Sequence, residues 1–188
     1  PPAPPTPGTP QFDAAVQQVL VEGTNLSDRD LRVVRYWDLG PGSSTPPGYW
    51  ASDVGADALR NAPVADQASA LALVTTATFD AGVATWDAKY HYLLVRPVTA
   101  IRSGASPQWL PSLQTPPFPA YTSGHAAFGT AAVTVLAALF PERADEFYDA
   151  AAEAGDSRVR GGIHYWFDAL EGTRLGAKVG AAALARAG

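Results

Sequence analysis

Three short segments of the sequence carry the residue types that oxyanion binding and acid–base chemistry need. The first is Trp86-Asp87-Ala88-Lys89-Tyr90-His91-Tyr92-Leu93-Leu94-Val95-Arg96-Pro97. Lys89 and Arg96 are seven residues apart. On a helix they fall on nearly one face, with Trp86 a turn before Lys89. Their neighbours are aromatic and aliphatic, so an interior setting is expected, and interior cations need an anion. Pro97 is expected to end that helix and leave Arg96 at its terminus. The second segment is Phe118-Pro119-Ala120-Tyr121-Thr122-Ser123-Gly124-His125, followed by an apolar run. A helix beginning there presents unpaired N–H groups and a positive dipole end to an anion. Ser123 adds a hydroxyl, Gly124 lets an oxyanion reach the backbone, and His125 brings a titratable ring. The third runs from Ser157-Arg158 to His164 and Asp168. His164 and Asp168 are spaced i,i+4, so the carboxylate can hold one ring nitrogen and leave the other free as nucleophile or ligand. Each segment alone has an ordinary alternative: a solvated cation stripe, a capping serine followed by an unrelated histidine, a surface His–Asp pair.

Bulk composition narrows the chemistry. The 188 residues carry a formal net charge of −5, so nucleic acid is a poor partner, and positive charge for an anion must be concentrated locally. There is no Cys, which excludes disulfides, zinc–thiolate sites and thiol nucleophiles. There is no Met either; composition bias explains this, and a protein that makes a strong oxidant gains by lacking both sulfur side chains. The most apolar stretch, Ala126 to Phe140, falls short of the roughly 20 residues of a membrane span, so no transmembrane segment is expected.

The elements that must position these residues read as helices. Residues 1–10, PPAPPTPGTP, hold six prolines and are expected as an extended arm or linker. Residues 11–188 read as a single helical domain. Gln11–Glu22 is amphipathic. Ser27 is a plausible N-cap, with Leu31, Val34 and Trp37 on one face of the helix that follows. Leu39–Trp50 is expected as a loop, Val64 to about Val95 as one long helix or two joined, and Ser103–Tyr121 as a Pro-rich loop. Further helices are expected from near Ser123 to Phe140, from Pro141 through Ala154, and from about His164 to Ala187. With no period-two strand in sight, the fold class is all-α: a helical bundle with long Pro-rich loops.

Taken together, the order Lys-x6-Arg-Pro, Ser-Gly-His, Ser-Arg-x5-His-x3-Asp resembles the signature shared by the type-2 phosphatidic acid phosphatase superfamily and the vanadium-dependent haloperoxidases, over Trp37 to about Ala183. WDAKYHYLLVRPVTAIR and PPFPAYTSGHAAFG resemble the haloperoxidase branch, and GPGSSTPPGYW resembles a segment of bacterial haloperoxidase-like proteins. The resemblance implies halide oxidation by hydrogen peroxide to hypohalous acid at a vanadate cofactor, with a small organic acceptor. Lys89, Arg96, Ser123, Gly124, Arg158 and His164 would bind vanadate, or phosphate in the same place. His164 would be the vanadium ligand, held by Asp168, with His125 as acid–base group and Lys89 polarising the peroxide. The rival it implies is an acid phosphatase forming a phosphohistidine on His164. A binding module without turnover is the third class. Trp86 and Phe118 are expected beside these groups; Phe118, seven before His125, resembles the chloride-oxidising branch. Asp38 is a candidate carboxylate for His125 or an Arg, with a helix-end role as its alternative. His91 is read as structural and Arg160 as solvent-facing or a loop anchor. Thr122 departs from the family, which commonly has Pro there. The chain has material for about one bundle where larger haloperoxidases pack two, which leaves room for completion by a homo-oligomer. The Pro-rich start and the lack of Cys are compatible with a secreted or periplasmic address.

Overall fold

Caps and prolines set the helix boundaries in the computed structural model, which describes residues 1–104 and 106–187. Position 105, inside the loop expected over Ser103–Tyr121, and position 188, the end of the expected domain, lie outside them. Helix α1 (Pro10–Thr24) starts where Thr9 accepts the Phe12 N–H at 3.4 Å and Pro10 takes the first helical position. Helix α2 (Asp28–Tyr36) opens on a capping box between Ser27 and Asp30. The stretch expected as loop over Leu39–Trp50 instead holds a short α3 (Thr45–Gly48), which leads into a π-helical segment (Tyr49–Gly55) and α4 (Ala56–Ala58). Burial of one indole explains the difference: Trp50 is 1% exposed, stacked on Trp37 at 5.7 Å, and aromatic burial outweighs the local preference for a loop.

Helix α5 (Val64–Tyr92) ends three residues earlier than expected. Leu93 adopts a left-handed conformation (φ 51°), and its N–H closes back on the Lys89 carbonyl at 3.0 Å. Pro97 does not end that helix; it takes the first position of a new one, α6 (Pro97–Ser103), N-capped by Arg96. Lys89 and Arg96 therefore do not share a helix face. Helix α7 (Gly124–Leu139) begins at Ser123 as expected. Pro141–Arg143 forms a 3-10 turn, and α8 (Ala144–Arg160) runs past Ala154 to carry Ser157 and Arg158 in its last turn. Helix α9 (Trp166–Ala187) starts two residues after His164. Among the described residues there is no strand, and the fold is all-α.

Helix α7 is the axis of the bundle, packed against α5, α8 and α9. Its contact with α9 is backbone-close because α9 presents Gly172, Gly176 and Gly180, four residues apart. A Cβ at Gly172 would lie 2.6 Å from the Ser123 carbonyl and one at Gly180 2.8 Å from that of Ala131; at Gly176 it would be closer still to Ala127. That approach lets the start of α9 meet the start of α7: the Ser123 N–H donates to the Asp168 carbonyl at 2.9 Å. One core gathers Trp37, Trp50, Val133, Leu136 and Phe147. Another, around Phe12, Tyr121, Tyr165 and Phe167, backs the site. The proline arm lies on the second: the Tyr92 hydroxyl donates to the Pro1 carbonyl at 2.9 Å and the Tyr121 hydroxyl to that of Pro2 at 2.6 Å.

Candidate oxyanion site

The three segments meet at the N-terminal end of α7. Lys89 is fully buried on α5, and its ammonium donates to the carbonyls of Pro119, Ala120 and Thr122 at 2.9, 2.9 and 2.6 Å. All three of its protons are thus committed to the loop that leads into Ser123. In this arrangement Lys89 acts on the site through its charge and by shaping that loop, and a direct bond to an oxyanion requires it to give up one carbonyl. Burial, then the Arg96 charge, hold its pKa below the ordinary ammonium range.

Arg96 reaches the same place from the start of α6. Its Nε donates to the Phe118 carbonyl at 2.8 Å, and its Nη1 to the Ile163 carbonyl at 2.7 Å; Nη1 also lies 3.1 Å from His164 Nε2. The Phe118 ring lies under both cations, 5.3 Å from Lys89 Nζ and 5.1 Å from the Arg96 guanidinium carbon, and 5.3 Å from the Trp86 ring. Arg158, also fully buried, donates from Nη2 to the Val34 carbonyl at 2.7 Å and from Nε to the Ser157 hydroxyl at 3.0 Å. One nitrogen of each guanidinium, Arg96 Nη2 and Arg158 Nη1, is buried with no hydrogen-bond partner. The nearest carboxylate to Arg158 Nη1 is Asp38 at 3.6 Å, and that side chain is 53% exposed. Two buried guanidinium nitrogens without a hydrogen-bond partner, beside a buried ammonium, form a donor set that fits an oxyanion.

The two imidazoles complete the set. His164 precedes α9, and its Nδ1 donates to Asp168 Oδ2 at 2.8 Å; the same oxygen accepts the Tyr165 N–H at 3.1 Å. Asp168 thereby caps the first turn of α9 and fixes the ring tautomer, leaving Nε2 as the acceptor or ligand atom. Burial, then the charges of Arg96 and Lys89, keep His164 well below the ordinary imidazole range, so it is neutral. His125, on the first turn of α7, lies with Nε2 at 3.2 Å from the Asp38 carbonyl. Burial and the Arg158 charge hold it low as well, opposed by the carbonyls of Asp38 and Trp37. Ser123 is fully buried and caps α7 by accepting the Ala126 N–H at 3.5 Å. Its hydroxyl proton is left to donate, and the Gly124 and His125 N–H groups precede the first intrahelical bond.

Every residue expected at the site thus has a place in or beside it. Asp38 meets His125 through its backbone carbonyl and not its carboxylate, which lies 3.6 Å from Arg158 Nη1. His91 is exposed, and Arg160 pairs with Asp30 at 2.7 Å. The sequence reading missed the carbonyls of Pro119, Ala120, Thr122 and Val34, and the Tyr165 N–H that holds Asp168. A signal for the loop existed: Pro116, Pro117 and Pro119 carry carbonyls but no N–H, so a loop dense in proline has a surplus of acceptors for a buried cation.

Comparison with known proteins adds to this geometry. The family described as the VCPO second helical-bundle domain matches residues 69–147 and 141–188. The chain is 30% identical to a vanadium chloroperoxidase of Curvularia inaequalis over 175 residues, covering 75% of this chain and 29% of that protein. It is 37% identical to a non-specific acid phosphatase of Salmonella typhimurium over 95 residues, which covers 50% of this chain and 37% of the phosphatase. Among solved structures, the first bacterial vanadium-dependent iodoperoxidase superposes with a TM-score of 0.90 at 30% identity, covering 98% of this chain and 52% of that one. A transmembrane PAP2-type phosphatidylglycerolphosphate phosphatase from Bacillus subtilis shares the fold, with a TM-score of 0.63 at 17% identity over 95% of this chain and 87% of its own. The chain therefore spans about a third of the curated relatives and half of the solved iodoperoxidase chain.

Proposed function

The chain belongs to the vanadium haloperoxidase and PAP2 phosphatase superfamily, and from that premise we propose that it is a vanadium-dependent haloperoxidase oxidising halide with hydrogen peroxide to hypohalous acid. The observation that carries this reading is the pair of partnerless buried nitrogens, Arg96 Nη2 and Arg158 Nη1, flanking a neutral His164 whose Nδ1 is held by Asp168. A tetrahedral oxyanion fits that donor set: guanidinium nitrogens, the Ser123 hydroxyl and the Gly124 N–H to bind its oxygens, and an imidazole nitrogen to ligate its metal. Vanadate, when bound, supplies a Lewis-acidic centre that makes peroxide electrophilic toward halide.

This chain's residues supply the rest. Arg96 and Arg158 hold the oxyanion and neutralise its charge. Asp168 keeps the His164 lone pair on Nε2, where the Arg96 contact at 3.1 Å must be given up to the ligand. His125, neutral in this field of cations, is the group able to take a proton from the peroxide and return it. Lys89 holds the Pro119, Ala120 and Thr122 carbonyls and adds positive potential. A small organic acceptor consumes the oxidised halide.

The rival reading uses the same groups for phosphate monoester hydrolysis. His164 attacks phosphorus and His125 protonates the leaving oxygen. The match to a non-specific acid phosphatase at 37% identity favours it over half of the chain. Halogenation of a phenol-red-type dye, run with and without vanadate beside hydrolysis of a chromogenic phosphate ester, separates the two. The haloperoxidase reading expects dye halogenation that needs vanadate and peroxide, is inhibited by phosphate and is abolished in His164→Ala. Ester hydrolysis without added metal, blocked by vanadate and unaccompanied by halogenation at any vanadate loading, reverses the ranking. Uptake of the anion with neither reaction makes the protein a binding module.

A further inference from the structure

We propose that the N-terminal proline arm is a strap that sets the geometry of the loop entering α7, with Tyr121 as its positioning residue. Two consecutive carbonyls of the arm are used, and they go to two different elements. The Pro1 carbonyl accepts from Tyr92, the last residue of α5, at 2.9 Å; the Pro2 carbonyl accepts from Tyr121, two residues before Ser123, at 2.6 Å. The Tyr92 and Tyr121 rings meet edge to face at 5.4 Å. The arm thus pins the end of the helix that carries Lys89 to the loop whose carbonyls Lys89 holds. At its other end it is anchored in α1, where Thr9 bonds back to the Thr6 carbonyl through both its N–H (3.1 Å) and its hydroxyl (2.7 Å) and caps the helix.

The composition suits the task. A polyproline segment is already extended before it docks, so little chain entropy is lost on contact. Prolines present carbonyls without N–H groups, so an arm lying on a tyrosine pair strands no donors. Successive carbonyls of a three-residue-per-turn helix point in different directions, which lets neighbouring prolines serve different partners. Tyr121 is 1% exposed and packs on Phe167, whose neighbour Asp168 holds His164. Loosening Tyr121 therefore reaches both the Lys89 carbonyl cage and the start of α9.

Two readouts test the strap in the full chain: amide hydrogen exchange in residues 118–123, and the affinity for inorganic phosphate. The first does not depend on the function proposed above; the second rests on that reading. Tyr121→Phe keeps the ring and removes only the hydroxyl; removal of residues 1–5 takes away the acceptors. Each change is expected to speed exchange in the loop and to weaken phosphate binding by roughly three- to tenfold, the worth of one hydrogen bond. Adding Tyr121→Phe to the shortened chain is expected to change nothing further, because the Pro2 carbonyl it donates to is already gone. Leu136→Ala, in the other core with Trp50 and Phe147, is the control: it lowers Tm and leaves both readouts unchanged. Loop exchange that is unaltered in both Tyr121→Phe and the shortened chain overturns the proposal. Faster exchange with unchanged phosphate affinity overturns the positioning role. Faster exchange in a protein that takes up neither phosphate nor vanadate leaves the strap standing and sinks the functional reading instead.

Discussion

Arg96 and Arg158 each carry a buried nitrogen without a hydrogen-bond partner, and His125 and His164 share that buried, cation-rich setting. Burial, reinforced by the nearby Lys89, Arg96 and Arg158 charges, holds His125 and His164 both below the ordinary imidazole range. An oxyanion seated among Lys89, Arg96 and Arg158 offsets much of that positive field. The His125 pKa is expected to rise by a unit or more on saturation with phosphate, and the ring to become the acid that the proposed chemistry needs. Binding then takes up a proton, so phosphate affinity falls as pH rises through the bound-state value. Imidazole NMR titration reads this directly, because the sequence has only three histidines, His91, His125 and His164. A His125 titration unmoved by saturating phosphate places the anion elsewhere. At this scale the sequence was informative about residue types and poor about their partners. Lys89 and Arg96 do converge, on the ring of Phe118, but through a helix break rather than along one helix face. The carbonyls that occupy Lys89 carry no side-chain signature, and a spacing pattern does not reveal which donor protons are already spent.

Helix α9 makes the site possible by what it lacks. Gly172, Gly176 and Gly180 let its backbone touch that of α7, which brings Asp168 and His164 to Ser123. At an exposed helix position, Gly→Ala stabilises by about 1 kcal/mol. Gly176→Ala is expected to have the opposite sign, a loss of about 1–3 kcal/mol from overpacking against the Ala127 carbonyl, measured by urea unfolding. A gain in stability shows that the two helices do not depend on this approach. Leu93 makes the converse case. It is 65% exposed and sits at φ 51°, where a side chain costs about 1 kcal/mol. Leu93→Gly is expected to raise stability by up to about 1 kcal/mol in the same assay, without loss of phosphate binding. A clear loss of stability assigns Leu93 a contact that outweighs its backbone cost. The helices themselves were legible, since long Ala- and Leu-rich runs cannot be strands, and Ser27 and Ser123 cap where their types predict. The boundaries at Pro97 and Ala154 were not. A proline both ends one helix and opens another, and no local residue shows that α8 continues until Arg158 is inside the bundle.

The molecule as a whole is acidic, with a net charge of −5, yet it keeps Lys89, Arg96 and Arg158 buried together at one end of α7. By length and mean hydropathy, the stretch Val64–Ser103 could cross a membrane. That stretch is broken between Leu93 and Arg96 and carries two of the three cations inward. Holding three like charges out of water costs several kcal/mol per ion unless a counter-charge joins them. On the proposed reading, the oxyanion then contributes to the fold's stability as well as to its chemistry. A ligand that binds only the folded chain stabilises it by about 2.7 kcal/mol at a hundredfold excess over Kd, which for a chain of this size is a rise in Tm of roughly 5–10 °C. Phosphate or vanadate is expected to produce that rise near neutral pH. Chloride at matched ionic strength is expected to produce little, because a spherical ion cannot serve Arg96 Nη2, Arg158 Nη1 and the Ser123 hydroxyl at once. In Arg158→Met the rise should shrink, as one of the two unserved guanidinium nitrogens is gone. The decisive measurement is a calorimetric melt across phosphate concentrations in both proteins. Equal shifts with chloride and phosphate mean that the buried cations respond to ionic strength alone and do not form a site for a tetrahedral anion.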